Sequence, residues 1–248
     1  FLTMPVFLTK YGSRRARAHV LWNAFACKDF IAGNLSLKPS TEPDLTKRDG
    51  CNTCHATLEP LSAYFSRVQE STWVYLPPEK FPAKPDKAWF DADPNNPYAA
   101  DLKGQSCIRN FRTGADGGAP PISPAGCSSF YDPAFTFPTT DPKGAVNGGY
   151  AYLRGAYASE ANADAGPAGF ADYLTSTSQF ESCVAENVLS GFLGRSLTSE
   201  DEAVKANLAK TFADSGFKMS ALINALVLTD AYAAANNLPK SVVSAFEK

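Results

Sequence analysis

The chain has 248 residues, 44% of them hydrophobic and 19% charged, with a formal net charge of -2. Such a composition fits a soluble globular protein with room for a sizeable core, and it excludes disorder, collagen-like repeats and a coiled coil. A near-neutral chain has no net positive field to gather phosphate, which excludes non-specific binding to nucleic acid or to an anionic membrane.

Phe1 to Tyr11 reads as an extended segment, and a first residue other than Met suggests that a signal has been removed or that the chain is part of a larger polypeptide. A helix is expected over 14–31, with Val20, Ala24, Cys27 and Ile31 as its apolar face and Gly33 as its stop. Residues 77–149 hold 12 of the 18 prolines and 8 of the 17 glycines, too many for persistent helix, yet they also carry Trp89, Phe111, Phe130, Tyr131 and Phe135. That mixture predicts an ordered, irregular insertion with short strands rather than a linker. From about Ala168 the pattern is helical. Phe180, Cys183, Val184 and Val188 form one stripe, Met219, Leu222, Ile223, Leu226 and Val227 another, and Ser199 with Glu202 reads as a capping box. The longest apolar stretch, Ala221 to Ala235, is broken by Asn224 and Asp230, so no transmembrane segment is expected. The expected architecture is mainly α, one domain overall. It would comprise an N-terminal part over 1–76, the loop-rich insertion over 77–149, and a C-terminal helical part over 150–248 packing on the first.

Cys51-Asn52-Thr53-Cys54-His55 is a Cys-x-x-Cys-His pentapeptide, the attachment signature of c-type haem. On one helical turn, two thiols at this spacing reach both vinyl groups of one porphyrin edge, and the next residue sets its imidazole under the iron. Residues 1–76 are therefore the haem-attachment part, with Cys51 and Cys54 as thioethers and His55 as the proximal ligand of a single covalent haem c. A main-chain carbonyl near Leu58 to Leu61 is the expected acceptor for the other imidazole nitrogen. A thioredoxin-like pair would need a βαβ pattern, and a zinc site two more ligands; neither is visible.

Covalent haem attachment and persistent disulfides both belong outside the cytoplasm, which points to the periplasm or the extracellular space. Cys107 and Cys127 bracket the Gly/Pro-rich run and would staple it. Cys27 and Cys183 each fall on a helix's apolar face and are expected to pair, joining the first helix to the C-terminal helices, with two buried thiols as the alternative. Arg14, Arg15 and Arg17 read as a solvated basic face from which one could meet a haem propionate. Asp91, Asp93 and Asn95 alternate as in the start of a calcium loop, with Asp101 further on. However, Asn96 stands where glycine belongs and no Glu closes the loop, so a solvated turn is the plainer reading.

Several segments bear a resemblance: Phe1-Leu2-Thr3-Met4-Pro5, Phe25-Ala26-Cys27, Gly50 to His55 with Leu58-Glu59-Pro60-Leu61, Phe180 to Cys183, Gly194-Arg195, and Leu226 to Tyr232. Together they resemble the C-terminal modules of large, mostly uncharacterised cytochrome-c-like proteins of planctomycetes and myxobacteria. The long insertion and the loss of the Phe-Asp usual after Pro60-Leu61 are departures. The resemblance implies a cytochrome-c-like helical fold. The chain has two methionines and one spare histidine as candidates for the sixth iron ligand. Pro5 restricts Met4 to an extended backbone, and in that family a His often stands at this position, so Met4 is the expected ligand, with His19 and Met219 as alternatives. The expected function is outer-sphere electron transfer with a redox partner protein or other haem subunits. The alternatives are a peroxidase-like enzyme with an open iron position, or a haem-stapled subunit of a larger extracellular assembly.

Overall fold

The computed structural model describes residues 2–30, 38–68, 75–79, 81–85, 131–137 and 150–238. The chain is mainly α. It divides into two compact units, Phe1–Val20 with Phe30–Phe170, and Leu21–Asp29 with Ala171–Lys248. These cuts fall elsewhere than 76/77 and 149/150, and the chain passes between units inside two of its helices.

In the first unit, α1 (Pro5–Lys10) forms where an extended segment was expected. Met4 is extended as its proline requires, but Pro5 then occupies the first helical turn, where its missing N–H costs nothing. Phe7 and Leu8 are buried. Helix α2 (Arg14–Ala26) begins in this unit, and α3 (Asn52–Ala63) carries the pentapeptide. Two strands, β1 (Tyr131–Phe137) and β2 (Tyr150–Leu153), pair antiparallel with a bulge between Asp132 and Thr136. Strand β1 lies in the stretch expected to hold short strands. Tyr131, Leu153, Leu76, Ala83, Ala156 and Ala163 form one small core, and Phe170 packs edge-on against Tyr64 with Phe65 beside it. Burial pushes the Tyr131 phenol well above its ordinary range. Helix α4 (Glu160–Thr175) is broken at Gly166, whose φ of 63° with the following Pro167 explains the kink.

The face that α2 buries is not the expected one. Arg14, Arg17, Ala18, Leu21, Trp22 and Ala26 are buried, while Ala24 and Cys27 are exposed. The helix also stops at Ala26, because Cys27 takes a left-handed φ of 50° and does the work assigned to Gly33. Ile31 lies outside the described residues.

In the second unit, α5 (Ser178–Leu193), α6 (Glu202–Asp214), α7 (Met219–Val227) and α8 (Asp230–Ala235) surround Ala185, Leu189, Leu193, Leu208, Phe212, Leu222 and Leu226. Phe180, Val184 and Val188 pack on this core from its margin. Met219 is 45% exposed at the first turn of α7 and does not fill the core. The capping box sits one residue earlier than expected: Thr198 and Asp201 bond reciprocally, and Arg195 closes on both Asp201 oxygens at 2.7 and 3.0 Å. Cys27 and Cys183 are joined in a disulfide, Cα to Cα 5.3 Å. Cys107 and Cys127 lie outside the described residues, as do Asp91, Asp93, Asn95 and Asp101. Among the described residues, no helix is long and apolar enough to cross a membrane.

Candidate functional site

A knot of turns delivers the chain into α3. Asp44 accepts from the Thr46 amide at 3.0 Å and from its hydroxyl at 2.6 Å, and the Asp44 carbonyl accepts from the Lys47 and Arg48 amides. Gly50 then turns at φ 76°. The helix starts on Cys51, whose carbonyl accepts from the Cys54 amide at 3.3 Å and the His55 amide at 3.0 Å. The pentapeptide therefore occupies one helical turn. Cys51 and Cys54 are free, half-buried thiols, and Cys54 lies 3.4 Å from the Phe30 carbonyl.

One turn further along α3, Glu59 is fully buried and collects four side chains. Its Oε1 accepts from Arg15 Nε at 2.5 Å and from His55 Nδ1 at 2.7 Å; its Oε2 accepts from Tyr157 Oη at 3.0 Å and lies 3.4 Å from Arg14. A carboxylate paired with two guanidinium groups only accepts, so His55 donates from Nδ1, and Nε2 is the ring nitrogen left for a ligand role. The acceptor is thus the Glu59 side chain and not the main-chain carbonyl expected near Leu58 to Leu61. Burial raises the Glu59 pKa, but the Arg15 hydrogen bond and the charges of Arg14 and Arg15 outweigh it and hold the group below its ordinary value. Tyr157 is pushed up to about 12, by burial first and by the Glu59 charge second.

The basic cluster is not a solvated face. Arg14 and Arg17 are buried, and Arg17 donates to the carbonyls of Leu8 at 3.0 Å, Tyr11 at 2.8 Å and Val68 at 3.0 Å. Arg14 can enter because residue 155 is glycine. A Cβ there would lie 2.2 Å from Arg14 Nε, and the φ of 87° suits glycine alone.

Of the three candidate sixth ligands, Met4 is 52% exposed before α1, and Met219 belongs to the second unit. Exposed His19 packs edge-on against Phe30 at 5.8 Å, the residue whose carbonyl meets Cys54. Among the described residues, no three His, Cys, Asp or Glu side chains converge as a metal cage. Haem c needs no such cage, because its thiols bond to carbon and only one protein nitrogen is required beneath the iron. The donor set therefore fits a covalently attached haem.

Sequence reasoning singled out the pentapeptide and missed Glu59. The available signal was local: His55 and Glu59 stand four apart on one helix and so share a face. Arg15 was marked only as part of a basic face, and Tyr157, distant along the chain, carried no mark.

Residues 162–232, from α4 to α8, match the family described as Protein of unknown function (DUF1585), which is often found in cytochrome-c-like proteins. No curated protein and no solved structure matches the chain.

Proposed function

We propose that the chain is a monohaem c-type module that transfers single electrons, with Cys51 and Cys54 holding the haem and His55 beneath its iron. The supporting observation is the turn of α3 on which two free thiols precede an imidazole whose Nδ1 proton is already committed to Glu59. The match of residues 162–232 to a family often found in cytochrome-c-like proteins supports the same reading. When bound, haem c supplies one-electron exchange between ferric and ferrous iron. The chain's part is to fix the ring of His55 through Glu59 and to set the electrostatics around it. Met4, His19 and Met219 are the candidate sixth ligands, with Met4 preferred because Pro5 holds it extended. Covalent haem attachment and the Cys27–Cys183 disulfide both suit the periplasm or the extracellular space, with a redox protein or other haem subunits as partner.

A second reading, a peroxidase-like enzyme with an open iron position, is favoured by one observation, the carboxylate on His55. Stopped-flow mixing with an outer-sphere dye and, separately, with peroxide decides between them. Electron transfer predicts fast dye reduction, a low-spin ferric spectrum and slow peroxide reaction. A high-spin ferric spectrum with fast peroxide reaction would overturn it in favour of the enzyme.

A further inference from the structure

Glu59 is built as more than a structural counter-ion. Its two oxygens offer about four lone-pair directions, and four donors face them. With all directions used the carboxylate cannot rotate away from His55. Tyr157 is itself fixed, its ring stacked on Phe135 with centroids 3.5 Å apart. The group has no solvent exposure, so water screens little of its charge; Arg14 and Arg15 offset it, and His55 donates to it directly at 2.7 Å.

We propose that Glu59 is a positioning residue that makes the His55 imidazole electron-rich and so holds the haem potential low, with Tyr157 moderating it by competing for the same carboxylate. The inference rests on the haem reading above. A carboxylate draws the Nδ1 proton harder than a main-chain carbonyl does, which raises the basicity of Nε2. A more basic ligand favours the ferric state. Each other donor on Glu59 withdraws part of that density. Loss of the carboxylate charge and loss of the Tyr157 hydroxyl therefore act on His55 in opposite directions.

The experiment uses the full exported chain, and a pyridine haemochrome of the wild type comes first. Absence of covalent haem there overturns the haem reading and this inference with it. With haem present, the midpoint potential is titrated and the His55 Nδ1 proton is located by NMR in the ferrous protein. Glu59→Gln should shift the ferric–ferrous equilibrium tenfold or more, about 59 mV upward, and move the proton upfield. Tyr157→Phe changes no charge and keeps the ring that stacks on Phe135. It should shift the equilibrium about twofold the other way and move the proton downfield. If Glu59→Gln yields no holoprotein, Tyr157→Phe decides alone. Covalent haem with an unmoved potential and Nδ1 proton, or shifts of the same sign in both variants, would overturn the inference and leave the haem reading standing.

Discussion

The first unit buries Arg14, Arg17, Glu59 and Arg67 beside Phe65 and Phe170, whereas the second packs Leu189, Leu208, Phe212, Leu222 and Leu226 against one another. Of the seven buried polar or charged residues among those described, six lie in the first unit, and the seventh, Asp201, caps a helix. The two cores therefore do different work. Burying charge costs desolvation, and an ion pair returns little net stability, but a buried network of ion pairs and hydrogen bonds holds its members in one geometry. Apolar packing stabilises without fixing any one polar atom. The geometry fixed in the first unit is that of His55, and the second unit has no comparable polar centre among the described residues.

That contrast can be broken most directly at Glu59. Glu59→Ala removes the buried carboxylate that faces Arg14, Arg15, His55 and Tyr157 and should cost about 3–5 kcal/mol. Hydrogen exchange should show the lost protection in the first unit; a loss spread evenly over both units would mean that the network is no local device. The matching change in the second unit, Leu222→Ala, should cost about 3 kcal/mol through the cavity it opens, with protection lost around α5 to α7. A smaller effect is expected from Gly155→Ala, about 1–3 kcal/mol from the left-handed backbone, in urea unfolding. Because the new Cβ must displace Arg14, this change should also alter the surroundings of Tyr157, visible in its phenol titration. An unchanged titration would separate Arg14 from the network.

The smallest effect concerns acid. The Arg195 hydrogen bonds, and then the Thr198 amide, hold the Asp201 carboxyl well below its ordinary 3.8. A carboxyl lowered on folding contributes stability above its unfolded value and loses it as pH falls through the folded one. Asp201→Asn should therefore flatten part of the acid dependence of the second unit below about pH 4. An unaltered acid limb in a pH series of thermal unfolding curves would show that the cap contributes nothing there.

What was legible in the chain follows the range of each interaction. The signature formed by Cys51, Cys54 and His55 lies within five positions, and the mainly α character follows from local periodicity. The buried face of α2 was misplaced because hydrophobicity cannot foresee a buried Arg14 or Arg17. Their partners Glu59 and Val68 lie far along the chain. Met219 keeps helical spacing with Leu222 and Leu226, yet a place at the first turn left it exposed. The capping box slipped by one residue because Thr198 with Asp201 and Ser199 with Glu202 are two overlapping registers of one pattern. Pro5 was read for its effect on Met4, and its equal aptitude for starting a helix was overlooked.

We propose above that α3 presents an attachment site for one haem. The direct measurement is the intact mass of the full chain, exported by cells able to attach haem c and then denatured, beside that of a Cys51→Ser, Cys54→Ser double variant. The wild type should carry the mass of a single haem through denaturation, and the variant none. A wild-type chain at its bare polypeptide mass, with Cys51 and Cys54 both open to alkylation, would contradict it.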